Sequence, residues 1–131
     1  MDILRRNTDY ALRAMAHLAK NYSGESISTR VISEREDISY QIACKLMQKM
    51  NEVGLVTSTM GPKGGFTLSK EPSMINLLEI IEAVQGPLTV NRCLAEEEPC
   101  PRKDLCPLSG KMIEMQEYIV GSLSSATLAD L

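Results

Sequence analysis

Residues 29–68 place two short helical segments, a tight turn and a Gly-rich hairpin in immediate succession, and few folds accept that order. The spacing predicts a helix over Thr29–Glu36, where Val31 and Ile32 sit among polar residues, followed by a sharp turn at Asp37-Ile38-Ser39. Ser39 is placed to cap a further helix that runs to about Val53, where Gly54 supplies the stop. Along it Ile42, Leu46, Met50 and Val53 recur on one side, while Gln41, Lys45, Gln48, Lys49 and Glu52 recur on the other at intervals of three and four. Next come two β-prone runs, LVTST and FTL, joined by MGPKGG. Its proline and paired glycines suit a hairpin turn with Lys63 at the tip.

The flanking segments are helical by the same criterion. From Thr8, a suitable N-cap, Ala11, Leu12, Met15, Leu18, Ala19 and Tyr22 recur as one buried face. A helix beginning at Pro72-Ser73 carries Ile75, Leu78 and Ile81 and ends at Gly86-Pro87. Beyond Pro107 a longer helix aligns Leu108, Met112, Met115, Ile119 and Leu123, widened by Ile113 and Val120. So much apolar surface must be buried, and a second copy of the same helix is the simplest cover. A chain of 131 residues with 44% hydrophobic content, eight Met, one Phe and no Trp can build an aliphatic helical core. The expected fold is therefore mainly α with a small β-hairpin. It divides into a winged helix-turn-helix over residues 1–87, a cysteine-containing loop over 88–107, and a dimerisation helix with tail over 108–131. No internal repeat or low-complexity segment interrupts it.

Helix, short helix, turn, amphipathic helix and hairpin is the order of the winged helix-turn-helix, whose third helix enters the major groove of DNA. The net charge of −3 argues against a nucleic-acid partner until its distribution is considered. Residues 1–70 hold ten Lys/Arg against seven Asp/Glu, and residues 71–131 hold four against ten. Phosphate attraction depends on where cations cluster, so the N-terminal half is the candidate DNA face. Gln41 suits adenine and Lys45 guanine. Ser28, Ser39, Tyr40, Lys49 and the wing residues Lys63, Gly64 and Gly65 are placed for phosphates or the minor groove. The same Lys and Gln would also serve as an ordinary solvated helix face; the hairpin that follows favours DNA. No nucleophile–base pair, paired catalytic carboxylates or phosphate-cradling glycine loop is present, so no enzyme and no small-molecule substrate are expected. The N-terminus lacks a signal-peptide run, and no segment has the roughly 18 uninterrupted apolar residues of a membrane span, so the expected place is the cytoplasm.

In such a reducing compartment Cys44, Cys93, Cys100 and Cys106 point to metal or redox chemistry rather than disulfides. The last three are spaced C-x6-C-x5-C among Pro99, Pro101 and Pro107, which lets the thiolates converge without unwinding a helix. Spacing alone leaves an iron–sulfur cluster, zinc and a thiol switch on an equal footing, although structural zinc sites favour closer pairs. Cys44, next to Lys45, reads as a small residue at the edge of the core rather than an activated thiolate.

The segments TDYALRAMAHLA, ISYQIACKLMQKMNEVGLV and GPKGGFTLSK, with the later cysteine loop ending CPL, resemble the IscR/NsrR-type (Rrf-type) family of winged-helix iron–sulfur transcription regulators. The match spans nearly the whole chain. The resemblance implies a homodimer on a palindromic promoter site of double-stranded DNA, with a 2Fe-2S or 4Fe-4S cluster on Cys93, Cys100 and Cys106. It also implies a fourth, non-cysteine ligand. IscR-like members use a His three residues past the last Cys, where this chain has Ser109; NsrR-like members use an Asp that maps onto Asp9. Asp9 equally suits an ion pair with Arg13, four residues on. His17, on the same face roughly 12 Å further along at 1.5 Å per residue, is a second candidate. Many members carry an Arg just before the GP of the wing, whereas this chain has Met60. The rival functions are a cluster-free thiol-switch regulator and an iron–sulfur electron carrier that never touches DNA; the helix-turn-helix and wing disfavour the carrier.

Overall fold

A computed structural model describes residues 2–95 and 100–131. Helix α1 (Arg6–Lys20) buries Ala11, Ala14, Met15 and Leu18, and its alanines let the neighbouring helices approach closely. Against it pack α2 (Thr29–Glu36) and α3 (Tyr40–Glu52), joined by a turn in which Asp37 takes the left-handed conformation at φ 53°. Ser28 and Ser39 cap these two helices, their Oγ atoms accepting from the Val31 and Ile42 amides at 3.2 and 3.3 Å. The core of Met15, Ile32, Met47, Met50, Ile75 and Ile80 lies where these elements meet. Each such side chain contributes about 1.5–3 kcal/mol by leaving water.

The hairpin follows α3 directly, turned by Gly54 at φ 80°. Strands β1 (Val56–Thr59) and β2 (Gly65–Leu68) pair antiparallel in the register Val56↔Leu68 to Thr59↔Gly65. Val56 and Leu68 anchor its base in the core. The α1–α2 connection runs alongside β2, where Ile27 and Phe66 exchange amide–carbonyl bonds at 3.0 and 2.9 Å. Glycine is required at position 65 because a Cβ there would overlap the Ile27 backbone. The expected mainly helical fold with one hairpin is what forms.

Several local expectations are corrected by long-range pairing. Thr8 is not a cap: α1 begins at Arg6, and Thr8 is fully buried with its hydroxyl donating to Gln85 Oε1 at 2.6 Å. The helix expected from Pro72-Ser73 is two pieces. A single 3-10 turn over Pro72–Met74 gives way to extended Ile75, and α4 (Leu77–Gln85) starts under an Asn76–Glu79 capping box. Ile75 is extended because the chain's C-terminal segment pairs with it: Leu128 donates to the Ile75 carbonyl at 3.0 Å, and Leu77 to that of Ala126 at 2.9 Å. Leu128 is thereby buried with the α1 core. On α3, Val53 is exposed and Met47 takes the inward place, and at the end of α1 Tyr22 is exposed.

Helix α5 (Ser109–Ser125) packs on α4 along Met112, Gln116, Ile119, Val120 and Leu123, which are half-buried, and no residue of α5 is fully buried. Leu108, Ile113, Met115 and Tyr118 are left exposed.

Gln85 joins the two ends of this arrangement. Its Oε1 accepts from Thr8 and from the Arg5 amide at 3.1 Å, and its Nε2 donates to the Ile3 carbonyl at 3.0 Å. Gln85→Ala removes all three bonds and strands a buried hydroxyl. We expect a loss of about 1–3 kcal/mol, read as a lower denaturant midpoint at unchanged slope; an unchanged midpoint would show that this junction contributes nothing.

Candidate DNA-binding face and cysteine loop

On α3 the side chains of Gln41, Lys45, Gln48 and Glu52 lie exposed along one outward stripe, with Cys44 half-buried at its edge. Both cap hydroxyls use an Oγ lone pair on their own helix, which leaves each O–H free to donate outward. Lys49 is drawn aside: its Nζ donates to the Val84 carbonyl at 3.5 Å, near the C-terminal end of α4. The wing tip carries Lys63 between Pro62 and Gly64, and the Gly64 amide closes the turn on the Gly61 carbonyl at 2.9 Å.

One residue of this face escaped the sequence reading. Arg30 places its guanidinium 4.7 Å from the Tyr40 ring centroid. The pair bridges the first turns of α2 and α3, neither of which carries an acidic residue. A cation at a helix N-terminus opposes the helix dipole, so Arg30 costs stability locally while adding positive potential where phosphate would approach. The signal available in the sequence was an Arg two residues after a capping serine.

The cysteine loop is tied at both ends to the first two turns of α5. Gln116 accepts from the Val90 amide at 2.8 Å and donates to the Leu88 carbonyl, and Asn91 Nδ2 lies 4.0 Å from Met112 Sδ. Cys93 sits in a 3-10 turn, Arg92–Leu94, capped by Asn91. At the other end the Cys106 carbonyl accepts from the Ser109 amide at 3.2 Å where α5 begins. Cys93, Cys100 and Cys106 are all free and half-buried. Pro99 falls outside the described residues. Among the described residues no three His, Cys, Asp or Glu side chains stand close enough together to hold a metal ion. The donor types fit a thiolate-bound cluster; their positions are not gathered on one centre.

Asp9 lies on the outer side of α1 with its side chain 63% exposed, its Oδ2 3.4 Å from Arg13 Nε in an ion pair that lacks hydrogen-bond geometry. Arg13 also donates from Nη1 to the Glu36 carbonyl at 2.9 Å, at the end of α2. His17 is 14% exposed and already engaged, its Nδ1 3.1 Å from Glu36 Oε1.

A model of the Rrf2 family, described as iron-dependent transcriptional regulators, matches residues 4–131. The chain belongs to the Rrf2 family. It is 33% identical over 122 residues to the HTH-type transcriptional regulator IscR of Klebsiella pneumoniae, covering 93% of this chain and 74% of that protein. Its fold is similar to that of CymR, the global cysteine regulator of B. subtilis, with a TM-score of 0.80 at 28% identity over 99% of this chain and 95% of that one. T. potens IscR superposes with a TM-score of 0.78 at 26% identity, over 97% and 83%. As an Rrf2 protein the chain is a DNA-binding transcription regulator, not an enzyme. Among the described residues no helix is long and apolar enough to cross a membrane.

If this face docks on DNA, Lys63→Ala and Arg30→Ala should each weaken binding to every duplex and reduce the slope of log affinity against log salt by about 1. Gln41→Ala should instead relax base preference at one position. Fluorescence anisotropy over a salt series separates the two effects, and wild-type behaviour of all three variants would place the interface elsewhere.

Proposed function

We propose that this Rrf2 protein is a cytoplasmic homodimer that binds a palindromic promoter site and senses iron–sulfur supply, nitric oxide or redox state through Cys93, Cys100, Cys106 and Asp9. The observation that carries the reading is three unpaired, half-buried thiols on one loop whose two ends are tied to the same turns of α5. Such a loop can draw its thiolates together by adjusting residues between fixed ends, and soft thiolates are the donors that iron–sulfur clusters take first. A 2Fe-2S or 4Fe-4S cluster so held would supply a centre that reacts with oxygen or nitric oxide.

Asp9 is favoured over His17 as the fourth donor on energetic grounds. Freeing Asp9 sacrifices one partly exposed, poorly aligned ion pair with Arg13, worth about 1 kcal/mol on the scale of surface pairs. Freeing His17 would break a largely buried contact to Glu36 and leave that carboxylate without its partner. Asp9 also lies on the helix that supports the helix-turn-helix, and its partner Arg13 reaches the end of α2. A few kcal/mol of difference between two settings of α1 is enough to change operator affinity by orders of magnitude.

Dimerisation is assigned to the exposed side of α5. Leu108, Met115 and Tyr118 lie along one stripe there, Tyr118 with 79% of its surface exposed. Met112 faces the cysteine-loop segment instead. A second reading, a cluster-free thiol switch, is supported by the separation of the three cysteines and by the likeness to a cysteine regulator.

Protein purified without oxygen should show visible cluster absorption with matching iron and sulfide. Replacing any one of Cys93, Cys100 or Cys106 by Ala should abolish it, and Asp9→Ala should keep an altered spectrum while losing signal-dependent DNA binding. Colourless, iron-free protein whose operator affinity still responds to oxidant would decide for the thiol switch. For the dimer, Met115→Asp with Tyr118→Asp should sediment as a monomer; wild-type protein that is monomeric at micromolar concentration would remove α5 from this role.

A further inference from the structure

We infer that Met60 is an apolar wedge, carried by the wing into the DNA minor groove, where it selects a deformable base step. The inference rests on the docking of α3 and the wing described above. Met60 is 92% exposed, more than any other exposed large hydrophobic among the described residues. Single exposed apolar side chains are common on proteins, so exposure alone decides nothing. What distinguishes Met60 is the rigidity of the structure that presents it.

The Thr59↔Gly65 pair closes the β-ladder immediately before Met60. Across the tip the Gly64 amide bonds to the Gly61 carbonyl, and Pro62 between them has its φ fixed. A Cβ at Gly64 would overlap the Thr59 and Gly61 carbonyls, so the turn is folded tightly onto its own strand end. Below it the two Ile27–Phe66 bonds stitch β2 to the body. The wing is therefore braced, and Met60 extends from its tip without an intramolecular apolar partner to cover it.

The tip sequence Met60-Gly61-Pro62-Lys63-Gly64 contains one side chain able to donate hydrogen bonds, Lys63. With that single donor the tip offers little hydrogen-bond pattern to distinguish base edges, but it can act through shape. Met is one of the apolar residues, with Phe, Leu, Ile and Pro, that enter minor grooves as wedges, partly unstacking a step and bending the duplex. The cost of that deformation depends on sequence, and pyrimidine–purine steps yield most readily. Met60 would thus impose preference for a TA or CA/TG step beneath each wing, while Lys63 holds the adjacent phosphate. The flexible thioether chain tolerates small differences in groove width.

The experiment uses the full chain and an operator selected from random duplexes. Met60→Ala should lower affinity for that operator roughly tenfold, about 1.4 kcal/mol, with the salt slope unchanged. Met60→Leu should stay close to wild type. Replacing the step beneath the wing by a stiff A-tract should weaken wild type and Met60→Leu but not Met60→Ala, and energy transfer between labelled duplex ends should show less bending with Met60→Ala. Unaltered thermal unfolding of each variant confirms that the fold is intact. If Met60→Ala binds with wild-type affinity and step preference while Lys63→Ala weakens binding, the wedge is wrong and the wing docking stands. If neither variant changes binding, the docking itself fails.

Discussion

The packing of α1 is the constraint on which the rest of this molecule depends. α2, α3, α4, β2 and the C-terminal turn all touch that one helix. Ala11 and Ala14 bring neighbours close, and Met15 and Leu18 fill the space between them. Because the helix-turn-helix has only the small apolar face of α2 and the four buried residues of α3, it cannot form a core alone. α1 completes it. The position of α3 is thus inherited from α1, and any displacement of α1 is felt at the turn between α2 and α3.

The opposite side of the same helix carries the polar residues that matter for signalling in the proposed function. Asp9, Arg13 and His17 recur every four residues, and the latter two both reach Glu36, one through its carbonyl and one through its carboxylate. Glu36 is the last residue of α2, directly before the left-handed Asp37 that sets the turn. One face of α1 therefore holds the fold and the other touches the hinge of the DNA-reading motif. Such an arrangement needs no long pathway, since one rigid element meets both sites.

What could be read from the sequence was what is local. The bounds of α2, the Ser39 cap, the Gly54 stop and the hairpin are each decided by residues within a few positions of one another, and each formed where the pattern placed it. Errors arose where distant residues competed. Thr8 has the composition of a cap, yet Gln85, on the far side of the chain, takes its hydroxyl into the interior. The apolar run after Pro72 looked like one helix, and the returning C-terminal segment pulled Ile75 out into a strand-like pairing. Val53 and Met47 exchanged places because the final turn of α3 leaves the core as the chain swings into the wing. For the site, residue types were readable but distances were not. Three cysteines on a loop specify chemistry, whereas their convergence depends on geometry that spacing does not determine. Arg30 was hidden for a related reason: its significance lies in Tyr40, ten residues away across the turn.

The charge distribution acquires a role once the fold is known. A net charge of −3 would oppose binding to DNA if spread evenly, yet the excess of acid lies beyond residue 70. The positive residues Arg30, Lys45 and Lys63 belong to the elements of the proposed docking face. Screening limits such fields to about 10 Å at 0.1 M salt, so local clusters of charge rather than the net value govern how a duplex approaches. In the proposed docking the basic residues would be attracted to phosphate, and acidic residues brought near it would be repelled, which disfavours wrong orientations. With so few cations available, phosphate contacts alone supply modest affinity. In the proposed docking the remaining binding would come from what touches the bases and the groove walls, which are the exposed stripe of α3 and the wing.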